Sequence, residues 1–115
     1  MKNFDAIIVN YNGGKIIQRC LKSIYSSSVL PNRIIIYDNA SSDNSVAIIK
    51  NKFPKIVLIK GKNNLGFGRA NNEAMKRSES EFILFMNNDI LLEKNCAREL
   101  LRGFSEQKLV ILNPI

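Results

Sequence analysis

Short β-branched, apolar runs alternate along this chain with segments whose apolar residues recur every three or four positions. That alternation limits the fold to a parallel sheet wrapped by helices. Phe4 to Asn10 (FDAIIVN) predicts a first strand, closed by the turn residues Tyr11-Asn12-Gly13-Gly14. Ile16, Ile17, Cys20, Leu21 and Ile24 then follow at helical spacing, and Ser26-Ser27-Ser28 with Pro31-Asn32 ends that helix. Arg33 to Asp38 (RIIIYD) is apolar on both faces, as a central parallel strand must be. Ser42 or Asp43 can N-cap a second helix carrying Val46, Ile48 and Ile49, which Phe53-Pro54 terminates. Ile56 to Lys60 predicts a third strand, and Phe67, Ala70, Ala74 and Met75 a third helix. Glu81 to Met86 predicts a fourth strand, Glu93 to Phe104 a fourth helix and Leu109 to Leu112 a fifth strand. The expected fold class is α/β, a Rossmann-like, mostly parallel sheet flanked by helices.

At 115 residues the chain has room for one domain, expected to span residues 1–115 without a linker or repeat. It contains no His, which excludes a Ser-His-Asp or Cys-His catalytic site and any imidazole metal site. Cys20 and Cys96 are too few for a zinc cluster. Their apolar helical positions favour buried free thiols in a reducing compartment, although the sequence leaves a disulfide open. No apolar run approaches the length of about 18 residues of a membrane span, and Met1 to Val9 does not have the pattern of a signal peptide. A cytoplasmic location is the expectation.

Ligands of open α/β sheets bind beyond the carboxyl ends of the strands. Four of those ends carry Asn or Asp: Asn10-Tyr11-Asn12, Asp38-Asn39, Asn63-Asn64-Leu65-Gly66 and Asn87-Asn88-Asp89. Each cluster alone is better read as ordinary turn chemistry. Four on one edge point to a polar ligand. Neither the dinucleotide glycine fingerprint nor a P-loop is present. Asp38 can accept from a base N–H or a ribose hydroxyl, and Tyr11 offers a ring for stacking. Asn87-x-Asp89 supplies two oxygen-bearing side chains, which suit Mg2+ or Mn2+ together with diphosphate oxygens.

These segments resemble the N-terminal, nucleotide-sugar-binding half of an inverting family 2 glycosyltransferase with the GT-A fold. The resemblance rests on IIVNYN at 7–12, IYDNASSD at 36–43, NLGFG at 64–68 with Asn71-Asn72, and FMNND at 85–89. The NYN and NLGFG variants are most similar to the rhamnosyltransferase-like branch, which builds surface polysaccharides. The resemblance implies that Tyr11 and Asp38 contact base and ribose beside Asn10, and that Asn64 to Gly66 line the same pocket. By the same resemblance Asn72 approaches the diphosphate or sugar, and Asn87 and Asp89 occupy the D-x-D metal positions, with Asp89 the principal ligand. Asn12, Asn39 and Asn88 complete the expected substrate-binding set. Asn at position 87 is a neutral and weaker ligand than Asp. Asn71 stands where many family members carry Arg.

The resemblance also implies a nucleotide-diphosphate sugar as donor and a glycan or lipid-linked acceptor. Family members continue well beyond this length. The expectation is therefore a donor-binding part that binds weakly and does not catalyse transfer, with its general base beyond Ile115. An uncovered sheet edge would then favour a homodimer.

Lys and Arg number 17 against 10 Asp and Glu, a formal charge of +7. Between Asp43 and Glu73 there is no acid, while Lys50, Lys52, Lys55, Lys60, Lys62 and Arg69 lie in that stretch. Phe53 and Phe67 read as core residues, and no groove-reading motif accompanies the charge, so nucleic acid is not expected. A solvated basic face, or peripheral attraction to the inner face of an anionic membrane, fits better. The alternative function is a non-catalytic nucleotide-binding α/β module.

Overall fold

In the computed structural model, which describes residues 3–103 and the backbone of 109–112, five strands form one sheet in the order β3-β2-β1-β4-β5. The strands are β1 (Phe4–Asn10), β2 (Arg33–Asp38), β3 (Val57–Lys60), β4 (Phe82–Asn87) and β5 (Leu109–Leu112). Every pairing is parallel. The helices between them are α1 (Gly14–Tyr25), α2 (Ser45–Lys52), α3 (Phe67–Met75) and α4 (Cys96–Arg102). From β1 the chain builds outward through β2 and β3, then crosses back to lay β4 on the other side of β1. The order therefore reverses between β1 and β4, which is where an open α/β sheet leaves a crevice.

The two faces of the sheet follow from the period of two along each strand. Ala6, Ile8, Ile34, Ile36, Leu84 and Met86 pack against Ile17, Cys20, Leu21 and Ile24 of α1, Ile49 of α2, and Ala97 and Leu101 of α4. The alternate residues Ile7, Val9, Ile35, Tyr37, Ile83 and Phe85 face Ala70 and Ala74 of α3. Three helices thus cover one face and a single helix the other. The two alanines let α3 sit close over β1 and β2. At the edge opposite the strand tips, buried Asp5 accepts the Arg33 backbone N–H at 3.0 Å and the Ser78 hydroxyl at 2.7 Å. The Arg33 guanidinium stands 3.7 Å from the same carboxylate and donates to the Arg77 carbonyl.

Several expected details are corrected. β3 starts at Val57 and β4 at Phe82, one residue later than predicted. α4 starts at Cys96 rather than Glu93, because the Glu93 carbonyl accepts the Cys96 N–H in a turn that precedes the helix. Phe104 lies outside the described residues. The α2 N-cap is Asn44, without a side-chain cap, but Asp43 still supplies the capping chemistry. Its carboxylate accepts the Ser45 N–H at 3.0 Å and the Ser45 hydroxyl at 2.5 Å. Ile16 shares the helical spacing yet is 49% exposed, being turned toward the flank of α1. No described helix is long and apolar enough to cross a membrane.

Both thiols are free, Cys20 buried and Cys96 half-buried. Burial, and then the nearby charge of Asp89, push the Cys20 thiol from 9.0 up to about 12. A raised folded value means that the contribution to stability is whole below pH 9.0 and is lost as pH climbs toward about 12. Burial, and then the charge of Glu93, raise the half-buried Cys96 thiol as well, so alkylation at pH 9.0 should modify Cys96 slowly in the native protein and Cys20 only after denaturant is added. Rapid native labelling of Cys20, read by peptide mass, would contradict this packing.

Candidate functional site at the strand tips

β1 ends on Asn10, whose side chain is fully buried and joins four elements. Its amide N–H group donates to Asp38 Oδ1 at the tip of β2 (2.9 Å) and to the Ser45 hydroxyl at the start of α2 (2.9 Å). Its carbonyl accepts from the Asn88 amide just beyond β4 at 3.1 Å. Asp38 is almost as buried, and its carboxylate takes the Ser41 N–H at 2.9 Å and the Ser41 hydroxyl at 2.7 Å. Each bond contributes about 0.5–1.5 kcal/mol net, but an orphaned buried partner costs more, about 1–3 kcal/mol, so the cluster holds together as a unit.

The same chemistry fixes the loops around it. Asn12 adopts a left-handed backbone at φ 50, donates its N–H to Ser41 Oγ at 2.8 Å, and accepts the Ser42 N–H at 2.8 Å. The turn after β1 is thereby tied to the loop after β2. Asp43 belongs to this junction. Burial alone would raise its pKa, but hydrogen bonds from the Ser45 side chain and from the Ser45 and Gly14 backbone hold it below the usual carboxylate value. Asn39 reaches the third loop, accepting the Leu65 N–H at 2.8 Å and donating to the Gly66 carbonyl at 3.2 Å. Asn64 accepts the Gly66 N–H at 2.8 Å. Gly66 sits at φ 79, where a side chain would be strained, and precedes the first turn of α3.

These ties enclose an open cleft of about 420 Å³ at the β1/β4 switch point. Tyr11, Asn39, Asn64 and Gly66 line one part of it, and Asn87, Asn88 and Asp89 another. Val9 and Phe67 complete the lining. Asn10, Asn12, Asp38, Leu65 and Asn72 are not among the lining residues. Asn10 and Asp38 stand behind the wall, Asn12 braces the rim, Leu65 packs against the α3-side core, and Asn72 is exposed on α3. The sequence reading missed Val9 and assigned Phe67 to the core. Phe67 shares the spacing of Ala70 and Ala74, but as the first residue of α3 it overhangs the sheet edge and is 49% exposed. Its position directly after Gly66 was the available signal.

Asn87 and Asp89 are the cleft residues that could hold a metal. Neither side chain takes a hydrogen bond from another described residue, so both oxygens are available to the cleft. No group of three or more His, Cys, Asp or Glu that could hold an ion exists among the described residues. An all-protein cage is therefore absent from this region. Two oxygen donors fit a cation that takes the rest of its shell from diphosphate and water, as Mg2+ or Mn2+ does.

Gly13 is the tightest point of the site. A Cβ there would lie 2.3 Å from Asn10 Oδ1 and 2.8 Å from Asn88 Nδ2. Gly13→Ala must separate the Asn10–Asn88 pair, with an expected loss of about 1–3 kcal/mol of stability in a urea melt. An unchanged midpoint would show that this bond does not hold β4 to β1.

Residues 5–115 match the family described as Glycosyl transferase family 2. The SPbeta prophage-derived glycosyltransferase SunS of Bacillus subtilis is 36% identical over 87 residues, covering 76% of this chain and 20% of SunS. Poly(ribitol-phosphate) beta-N-acetylglucosaminyltransferase TarS of Staphylococcus aureus is 28% identical over 104 residues, 86% of this chain and 18% of TarS. The chain thus spans about a fifth of the length of these curated relatives. Among solved structures, TarS 1-349 with UDP-GlcNAc superposes with a TM-score of 0.77 at 26% identity, covering 87% of this chain and 30% of that one. Mannosyltransferase PcManGT from Pyrobaculum calidifontis, in complex with GDP-Man and Mn2+, shares the fold at a TM-score of 0.82 and 18% identity, over 91% of this chain and 33% of that one. By this match across nearly its whole length, the chain belongs to glycosyl transferase family 2 and has the GT-A fold.

Proposed function

We propose that this chain is the donor-binding part of an inverting glycosyltransferase and that its cleft holds a nucleotide-diphosphate sugar. The observation that carries the reading is the single cleft in which a Tyr11 ring and the Asn39/Asn64 wall meet the two oxygen donors Asn87 and Asp89. TarS, whose crystal complex contains UDP-GlcNAc, is similar over the same region. In this reading the base stacks on Tyr11, with Phe67 as a second flat surface. Asp38, held by Asn10 and Ser41 behind the wall, positions the residues that meet the base and ribose. The first turn of α3 presents unpaired backbone N–H groups beside Gly66, a favourable setting for diphosphate, with Arg69 and Asn72 nearby on that helix.

Asn87 and Asp89 would hold Mg2+ or Mn2+, which supplies charge neutralisation for the departing diphosphate. Transfer in this reading is a single displacement. A base removes the proton of an acceptor hydroxyl, that oxygen bonds to the anomeric carbon, and the bond from that carbon to the diphosphate oxygen breaks. Among the described cleft-lining residues Asp89 is the one carboxylate, and in this reading it is committed to the metal. In this reading the base and the acceptor site are supplied from outside the described cleft, in keeping with relatives about five times as long as this chain. The acceptor is a glycan or lipid-linked hydroxyl, in keeping with a relative named for poly(ribitol-phosphate). The reaction is proposed to occur in the cytoplasm, at the inner face of the membrane.

Calorimetric titration of the purified chain with UDP and GDP, with and without Mn2+, tests this directly. At least one nucleotide should bind, and more tightly with metal. Asp89→Ala should remove only the metal-dependent part, whereas Asp38→Ala should weaken binding in both conditions. Loss of the Tyr11 ring should cost about 1–3 kcal/mol of binding, the usual value of base–aromatic stacking. Absence of binding at millimolar nucleotide, or full metal dependence after Asp89→Ala, would contradict the reading.

A further inference from the structure

On the helix-covered side, away from the cleft, α1 and α2 form a surface with an unusual charge distribution. No Asp or Glu occurs within either helix, nor anywhere in residues 6–37 or 44–72. The outward ridge of α1 carries Lys15, Arg19 and Lys22, one helical turn apart. Lys52 at the end of α2 and Lys55 just beyond it stand beside that ridge. Among the described residues, none of these five cations makes an ion pair. Protein surfaces ordinarily intersperse the two signs, so a cation field of this size is a feature to be explained.

Two adjoining grooves run over this surface and share Lys22 and Lys52. One, of about 510 Å³, is walled by the stacked rings of Tyr25 and Phe53, whose centroids lie 5.9 Å apart and whose planes differ by 5°. The other, of about 350 Å³, is lined by Lys15, Gln18 and Arg19 with the same two lysines. With its amide turned to satisfy both donors, Gln18 accepts from Lys52 Nζ at 3.2 Å and from Lys22 Nζ at 3.3 Å. Two exposed ammonium groups therefore converge on one neutral oxygen, and no described carboxylate pairs with either of them. Apolar side chains flank the ridge on both sides, Ile16 at 49% and Tyr25 at 43% exposure.

We infer that the α1–α2 face is a docking surface for an anionic lipid bilayer, its cations meeting phosphate headgroups while Tyr25 and Ile16 enter the interfacial layer. Charge complementarity selects an anionic partner. The exposed apolar flanks select a bilayer over a soluble polyanion, which has no use for them. The cleft lies at the strand tips rather than on this face and remains open when the face is covered. The inference stands apart from the donor-binding reading and does not depend on it.

Cosedimentation of the full chain with vesicles of phosphatidylglycerol and phosphatidylcholine, against vesicles of phosphatidylcholine alone, tests it. Binding should require the anionic lipid and weaken as salt rises. Each basic residue at such a surface is worth about fivefold in partition, so Lys22→Glu with Lys52→Glu should lower it at least about tenfold. Tyr25→Ser, which keeps every charge, should also weaken binding and provides a second test if the double variant fails to fold. Equal binding to both vesicle types, no binding to either, or no change in the variants would overturn the inference. Binding to a DNA duplex as tight as to the vesicles would replace the bilayer with a soluble phosphodiester partner.

Discussion

One buried amide carries the architecture of the site. Asn10 lies on the central strand, and its side chain is removed from water entirely. A buried primary amide is tolerated only when its donors and acceptor are satisfied. Here they are satisfied by Asp38, Ser45 and Asn88, which belong to β2, α2 and the tip of β4. The need to pair one polar group thus draws three separate segments to the same point. Asp38 extends the network to Ser41, and Ser41 in turn meets Asn12. The apolar core fixes where the strands lie. The polar network fixes what happens just beyond their ends.

This division of labour explains the uneven legibility of the sequence. Strands buried on both faces appear as continuous apolar runs, and helices that cover them show the period of 3.6, so the element order was readable from start to finish. Boundaries depend on local hydrogen bonds, such as the Glu93–Cys96 turn that delays α4, and composition does not display these. The crevice could be located because parallel sheets bind ligands at one edge.

The individual asparagines were harder to read. Asn10, Asn39 and Asn64 turn their side chains onto neighbouring backbone or polar groups, whereas Asn87 faces the cleft unencumbered. Partners as far as 78 positions away decide between these outcomes, as in the Asn10–Asn88 pair. Both readings of the strand-tip clusters are therefore physically correct for different members. Turn chemistry holds the wall, and the remaining side chains are free for a ligand. Phe67 shows the opposite difficulty. Its helical spacing assigned it to the core, and only its place at the extreme end of α3 brings it out over the cleft.

The central claim is that Asn10 makes the separate strand tips into one ligand site. Amide NMR spectra of the chain titrated with UDP or GDP and Mn2+ test it most directly. The account predicts shifts concentrated at Tyr11, Asn39, Asn64 to Phe67 and Asn87 to Asp89, moving together along one binding curve and lost in Asn10→Ala while the β-sheet signals persist. Shifts confined to the α1–α2 face, or an unchanged cleft response in Asn10→Ala, would contradict it.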